Sequence, residues 1–267
     1  MSFLKKLKSM FLVEPKQGIG RFALISIIDS ASLFTSEHLV KVGSDYGGWL
    51  LPRKNRLGKN SICYAVGAGE DITFDCELAN IYGCKVRIFD PTPKSQAHFQ
   101  RLLDYVAGKP TENEGEDFID KYNFPISVYS SLDFQPYGLA SEDRIMKFYL
   151  PQNPDHVSCS LVNLQGTQDY FDAQCYRLGT LMSMNRDLSI ELLKMDIEGA
   201  EYQVIEDIIR SSVRPPMLLI EFDECHSPQD GEARMRVLHN IRLLENVGYR
   251  LIAVEGSNAT FMYESSL

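Results

Sequence analysis

Gly67 and Gly69 are followed directly by Glu70 and Asp71, and a third acid, Asp90, closes the apolar run from Lys85 to Phe89. Glycines let a backbone turn sharply and approach a ligand. An acid at the end of the second strand of a βαβ unit sits where such folds hold a ribose diol. The spacing therefore predicts a site for a nucleoside-bearing cofactor. A dinucleotide fold rests its pyrophosphate on the helix N-terminus and carries a third glycine in that turn. Two carboxylates there would repel a pyrophosphate, but they suit an ammonium and a sulfonium, the groups carried by S-adenosylmethionine. Acids also favour a helix start through its dipole, so Glu70 and Asp71 taken alone leave both readings open.

In this reading Asp90 takes the ribose hydroxyls, and the backbone at Gly67 and Gly69 meets the methionine part with Glu70 or Asp71 near its ammonium. Gly138 and Leu139, just past the third strand, lie along the adenine. Asp196 and Glu198 flank the tip of the strand LLKMD, Glu221 ends the strand MLLIEF, and Asp223 and His226 follow it. Strand carboxyl ends are where an open α/β sheet puts its site. Methyl transfer is an in-line displacement at an activated carbon, so the chain must align the nucleophile and remove a proton. Asp196, Glu198, Glu221, Asp223 and His226 are the candidates for that work, Asp196 also for orienting the donor. Glu198 could instead cap the helix that follows. The same five could converge on a divalent metal, the less favoured reading because carboxylates gather at strand ends without one. His38, His98, His156 and His239 read as surface or satisfied core residues.

The elements that must position these groups follow from the apolar pattern. A strand (Ile62–Val66), a helix (Ile72–Tyr82) and a strand (Lys85–Phe89) form one βαβ unit, and a helix over Lys94–Ala107 follows. Gly108–Lys121 reads as a solvated, acidic excursion. From Leu132 the pattern is β-rich: a third parallel strand, then an irregular or antiparallel insertion that includes DYFDAQCYRLGTLM and ends at Asp187–Ser189. Leu192–Asp196 and Met217–Phe222 are buried strands. The helix between them turns Val204, Ile205, Ile208 and Ile209 inward and is stopped by Pro215-Pro216. A helix over Gly231–Val247 leads to Tyr249–Val254 and Ala259–Tyr263, joined by the hairpin turn Glu255–Asn258. The expected fold is α/β and Rossmann-like: a mostly parallel seven-stranded sheet with a C-terminal antiparallel hairpin. Residues 41–267 form that domain and residues 1–40 a helical extension. The stretch Lys41–Pro52, with Tyr46 and Trp49 among glycines, is either a turn bringing aromatics to the mouth of the site or a plain turn with core aromatics.

With 267 residues the chain can bury a full core, and its net charge of -9 argues against a nucleic-acid backbone as the main partner. The cysteines at 63, 76, 84, 159, 175 and 225 show no C-x-x-C pair and read as reduced thiols of a cytoplasmic protein. No run suits stable membrane insertion. The basic segment Ser2–Leu12 is expected to form a short amphipathic helix. The partner expected is a small-molecule or glycan acceptor; oligomeric state is left open.

Five segments together resemble the FkbM family of S-adenosylmethionine-dependent methyltransferases: VGAGEDITFDCELA, FDPTP, PYGLAS, LLKMDIEGAEYQVI and LLIEF. The resemblance runs from about Lys41 to the C-terminus. It implies a class I methyltransferase fold and methyl transfer, commonly to a hydroxyl of a sugar, polyketide or other secondary metabolite. One departure stands out: members often carry a His soon after Ile-Glu-Phe, where this chain has Asp223 and, as its nearest His, His226. The alternatives are a nicotinamide-dependent oxidoreductase and a non-catalytic binding protein on the same fold.

Overall fold

The computed structural model describes residues 20–30, 33–109, 116–150, 168–197 and 199–266. The basic segment Ser2–Leu12, Cys159 and Glu198 lie outside them. Strands β1 (Leu39–Val42) and β2 (Trp49–Pro52) form an antiparallel hairpin. The βαβ unit follows as β3 (Ile62–Val66), α1 (Thr73–Tyr82) and β4 (Lys85–Phe89). Helix α1 stops at Gly83, whose left-handed φ of 65° a residue without Cβ adopts at least cost. Helix α2 (Pro93–Val106) starts with a proline in its first turn and Thr92 as N-cap. Two short helices, α3 (Glu116–Lys121) and α4 (Ile126–Tyr129), lead to β5 (Leu132–Gln135).

The insertion contains β6 (Gly138–Leu139), β7 (Arg144–Tyr149) and β8 (Tyr170–Tyr176), a separate small sheet with β8 in the middle. It ends in α5 (Leu178–Asn185), where the sequence pattern suggested an irregular or antiparallel insertion. The reason is visible in the spacing. Leu178, Leu181 and Met182 are the buried residues of this segment, at i, i+3 and i+4, and Arg186 at a φ of 58° ends the helix.

The second half runs β9 (Leu192–Met195), α6 (Glu201–Arg210), β10 (Met217–Glu221), α7 (Ala233–Asn246), β11 (Tyr249–Glu255) and β12 (Asn258–Tyr263). The main sheet has seven strands in the order β11-β12-β10-β9-β3-β4-β5. β12 is antiparallel to both neighbours, while β10, β9, β3, β4 and β5 pair in parallel. The expected sheet with its terminal hairpin is therefore present.

Strands buried on both faces explain the unbroken apolar runs in the sequence. Tyr64, Val66, Leu193, Met195, Leu218 and Ile220 pack on one side with α6 and α7 through Val204, Ile205, Ile208, Val237 and Leu244. Cys63, Ala65, Val86, Ile88, Leu192 and Leu219 pack on the other with Phe74, Leu78, Phe99 and Trp49. Phe22 and Leu24, far upstream, are buried in the first of these layers. Trp49 is core, and Tyr46 is exposed in the β1–β2 turn. The described cysteines are all buried and free. No helix among the described residues is long and apolar enough to cross a membrane.

A buried ionic knot ties the edge of the sheet together. Arg87 on β4 donates from Nε to Asp187 Oδ2 at 2.6 Å, from Nη2 to Asp187 Oδ1 at 2.9 Å, and from Nη1 to Asp133 on β5. Tyr64 on β3 donates its hydroxyl to Asp187 at 2.6 Å. Burial alone would raise the Asp187 carboxyl; the bonds from Arg87 and Tyr64 outweigh it and hold the group below its ordinary range. Replacing Arg87 by Met strands a buried carboxylate, so it is expected to cost about 3–5 kcal/mol. A urea titration reads this directly, and a loss under about 1 kcal/mol, the worth of an exposed pair, would contradict the assignment.

Candidate active site

The sheet order reverses between β3 and β9, and their carboxyl ends form the crevice where such folds bind ligands. Gly67 leaves β3 with φ 79°, its N–H donating to Phe89 O at 3.0 Å. A Cβ there would stand 1.7 Å from the Asp196 carbonyl oxygen, so no other residue fits. Gly69, at φ 54°, has nothing within 4 Å of a built Cβ and leaves open space at the turn.

Asp90 braces this turn from β4. Its Oδ2 accepts from the N–H groups of Ala68 at 2.9 Å and Gly69 at 3.0 Å. Its Oδ1 accepts from the Thr92 N–H at 2.8 Å and the Thr92 hydroxyl at 2.6 Å. The residue is buried, and these four bonds match the acceptor capacity of a carboxylate. Any further donor brought to Asp90 would have to share or displace one of these.

The two acids after the turn separate. Glu70 is exposed. Asp71 turns into the protein: Oδ1 accepts from the Thr73 N–H and hydroxyl, and Oδ2 accepts from Ser44 Oγ at 2.8 Å and pairs with Lys121 Nζ at 2.9 Å. Burial opposes its charge, but these bonds prevail and its carboxyl is lowered. Asp71 thus fastens the β1–β2 turn to the start of α1. Gly138 packs against Cys175, where a Cβ would stand 2.6 Å from the thiol, and Leu139 is buried in the core. Neither offers a side chain to an adenine.

Beneath the turn lies a buried cation. Lys194 Nζ donates to Gly67 O at 2.5 Å and stands 3.5 Å from Asp196 Oδ2. Asp196 donates its N–H to Val66 O at 3.1 Å, which locks the tips of β3 and β9 together. Glu201, absent from the sequence-based set, closes the loop after Asp196 by accepting from the N–H groups of Gly199 at 3.0 Å and Ile197 at 3.3 Å. Burial, with the Asp196 charge adding to it, raises its carboxyl, while the N–H groups of Glu201 and Gly199 and the Asp223 side chain oppose the rise. The signal for it was an acid in the first turn of a helix directly after Gly199.

A second missed residue is Ser257, buried in the β11–β12 turn. Its hydroxyl donates to Glu221 Oε1 at 2.9 Å and lies 2.7 Å from His226 Nε2. Ser257 has one proton, and a carboxylate only accepts. The Ser257 oxygen must then accept from His226 Nε2–H, which leaves the lone pair of neutral His226 on Nδ1. Nδ1 has no hydrogen-bond partner among the described residues. Asp223 holds the His226 backbone, its carbonyl accepting from the His226 N–H at 2.9 Å. Glu224 anchors the same turn, taking bonds from Tyr202 Oη at 2.8 Å and Arg236 Nε at 2.8 Å. The structure therefore brings Gly67, Gly69, Asp90 and Asp196 together at one point, and Glu221, Ser257 and His226 at another on the same edge of the sheet. Among the described residues no group of three or more His, Cys, Asp or Glu is placed to hold a metal ion.

Asp75 on α1 is buried with Oδ1 unpartnered, and burial pushes its carboxyl up to about 7 against the lowering charge of Lys194. A carboxyl raised on folding stabilises the native state at low pH and loses that contribution as pH rises through the folded value. Asp75→Asn should therefore gain stability relative to the parent between about pH 4 and pH 7, with no further change above. Denaturation midpoints of the two proteins across that range check this; a constant difference would contradict it.

Solved structures of similar course include an rRNA methylase from Streptococcus thermophilus, 13% identical over 77% of this chain and 87% of that one, with a TM-score of 0.36. The fibrillarin pre-rRNA processing protein of Methanococcus jannaschii is 12% identical over 79% and 71%, with a TM-score of 0.40. Precorrin-6y C5,15-methyltransferase from Geobacter metallireducens is 10% identical over 77% and 79%, with a TM-score of 0.34. Among curated proteins none matches the sequence. The methyltransferase FkbM domain matches residues 12–251, most of the chain, and the protein belongs to that family of methyltransferases.

Proposed function

We propose that the protein is an S-adenosylmethionine-dependent O-methyltransferase whose acceptor is a small metabolite, a sugar or a glycan precursor. The observation that carries the choice of oxygen is the Glu221–Ser257–His226 chain, because a hydroxyl acceptor must lose a proton and His226 Nδ1 has a lone pair for it. When bound, S-adenosylmethionine supplies a methyl carbon already activated by its sulfonium. The residues at the turn fit that group better than a pyrophosphate: Glu70 is exposed, and the nearby cations Lys121 and Lys194 are bound to Asp71 and Gly67.

In this reading the Gly67–Gly69 backbone and Asp90 hold the nucleoside end, and Glu70 faces the ammonium. Asp71 keeps the β1–β2 turn closed over the helix start. Asp196, at the tip of β9, orients the donor or the acceptor, with Glu198 beside it in sequence. The acceptor hydroxyl passes its proton to His226 Nδ1, and Ser257 holds the ring in the tautomer that can receive it. The Gly138–Leu139 segment contributes backbone to the adenine side.

Asp90→Ala is expected to weaken S-adenosylmethionine binding by about 1.5–3 kcal/mol, measured by calorimetry; unchanged affinity would remove Asp90 from the site. For His226→Asn, a transfer assay with labelled donor should show kcat lower by about 10²–10⁴-fold with cofactor affinity retained. Turnover within a few-fold of the parent would assign the proton to another base. Ser257→Ala should shift the pH profile of kcat, which a purely structural serine would not do.

A further inference from the structure

The far end of the sheet carries a cavity of about 390 Å³ with Arg53, Lys54 and Arg250 on its wall and Phe34, Pro52 and Met262 among its apolar lining. Its position is given by register. Met262 pairs with Met217, the first residue of β10, and Arg250 pairs with Met262, so the cavity lies at the amino ends of the parallel strands. Asp90, Asp196 and Glu221 stand at the opposite ends. Three segments distant in sequence converge here: the stretch before β1, the end of β2, and the β11–β12 hairpin.

The chain as a whole carries -9, yet this lining sets Arg53 and Lys54 side by side, with Glu37 as its one acidic side chain. That carboxylate is engaged by the Thr35 hydroxyl at 3.2 Å and lies 3.7 Å from His38 Nδ1. Arg53 and Lys54 are exposed, and among the described residues their side chains have no acceptor. The Arg250 guanidinium lies over the Phe34 ring at 5.8 Å, which orients it along the cavity wall. A guanidinium fork suits phosphate, and clustered cations favour a dianion over a single carboxylate. An apolar lining with a few convergent polar groups, in a volume within the range of small-ligand sites, is the usual form of a binding pocket.

We propose that this cavity binds a small phosphate ester, a phosphate joined to a flat or apolar body, at a second site separate from the strand carboxyl ends. The phosphate meets Arg53 and Lys54, and the body lies against Phe34, Pro52 and Met262. Such a ligand ties the segment before β1 to the terminal hairpin.

The test is calorimetry on the full chain with phenyl phosphate, inorganic phosphate and AMP, each with and without saturating S-adenosylhomocysteine. Phenyl phosphate should bind more tightly than inorganic phosphate, and S-adenosylhomocysteine should not displace it. The double variant Arg53→Ala/Lys54→Ala should bind it at least about tenfold more weakly, and Lys54→Arg should bind as the parent does. AMP binding more tightly than phenyl phosphate supports the site and assigns it to nucleotides; equal or weaker AMP binding supports it for other phosphate esters. No heat with phenyl phosphate at about 10 mM from the folded protein would overturn the proposal. So would an affinity that the double variant leaves unchanged, or displacement by S-adenosylhomocysteine. Both altered residues are exposed, so the variants are expected to fold, and a parent-like melting temperature without ligand checks that.

Discussion

The geometry of the candidate active site depends on one buried carboxylate. Asp90 takes two backbone N–H groups from the glycine turn and two donors from Thr92, and so fixes the end of β3 against the end of β4. A charge buried this deeply is tolerable only when its acceptor positions are filled. Once the turn is fixed, Gly67 comes so close to the Asp196 carbonyl that β9 has one place to stand. Lys194 then closes the join from below. The crevice is the gap left by these contacts, and the same arrangement binds its three strand ends into one unit.

A second unit forms farther along the same edge. The β11–β12 hairpin returns Ser257 to Glu221 at the end of β10, and the turn that follows β10 brings His226 to the same hydroxyl. The turn holds its shape because Glu224 is buried under Tyr202 and Arg236, one from each of the helices α6 and α7. Packing between two helices thus holds the turn that carries an exposed imidazole. His226, the nearest histidine after Ile-Glu-Phe, reaches Glu221 at the strand end through the Ser257 hydroxyl.

Most of the fold was legible because it rests on periodicity. Unbroken apolar strands, amphipathic helices and glycine or proline stops gave the βαβ unit, the second half and the terminal hairpin close to their observed bounds. Segment α5 is not legible because four apolar residues in eight fit a short strand or a short helix, and packing of three of them on the main sheet decides between the two. In the site, a strand end marks a residue such as Asp90 in the sequence, but the partners that fix a side chain's direction are not marked there. Ser257 is 36 positions from Glu221 and looks like an ordinary hairpin-turn residue. Asp71 was read together with Glu70, but Ser44 and Lys121 turn it inward, and nothing in the local sequence announces those partners. Gly138, expected beside an adenine, also has a packing reason to lack a side chain, the Cys175 thiol beside it.

The central claim is that the crevice between β3 and β9 accepts a sulfonium nucleoside rather than a dinucleotide. Calorimetric titration of the full chain with S-adenosylmethionine, beside a matched titration with NADH, tests it most directly. The account predicts saturable binding of S-adenosylmethionine and none of NADH. Absence of S-adenosylmethionine binding at about 1 mM by protein shown to be folded, or saturable binding of NADH in its place, would contradict it.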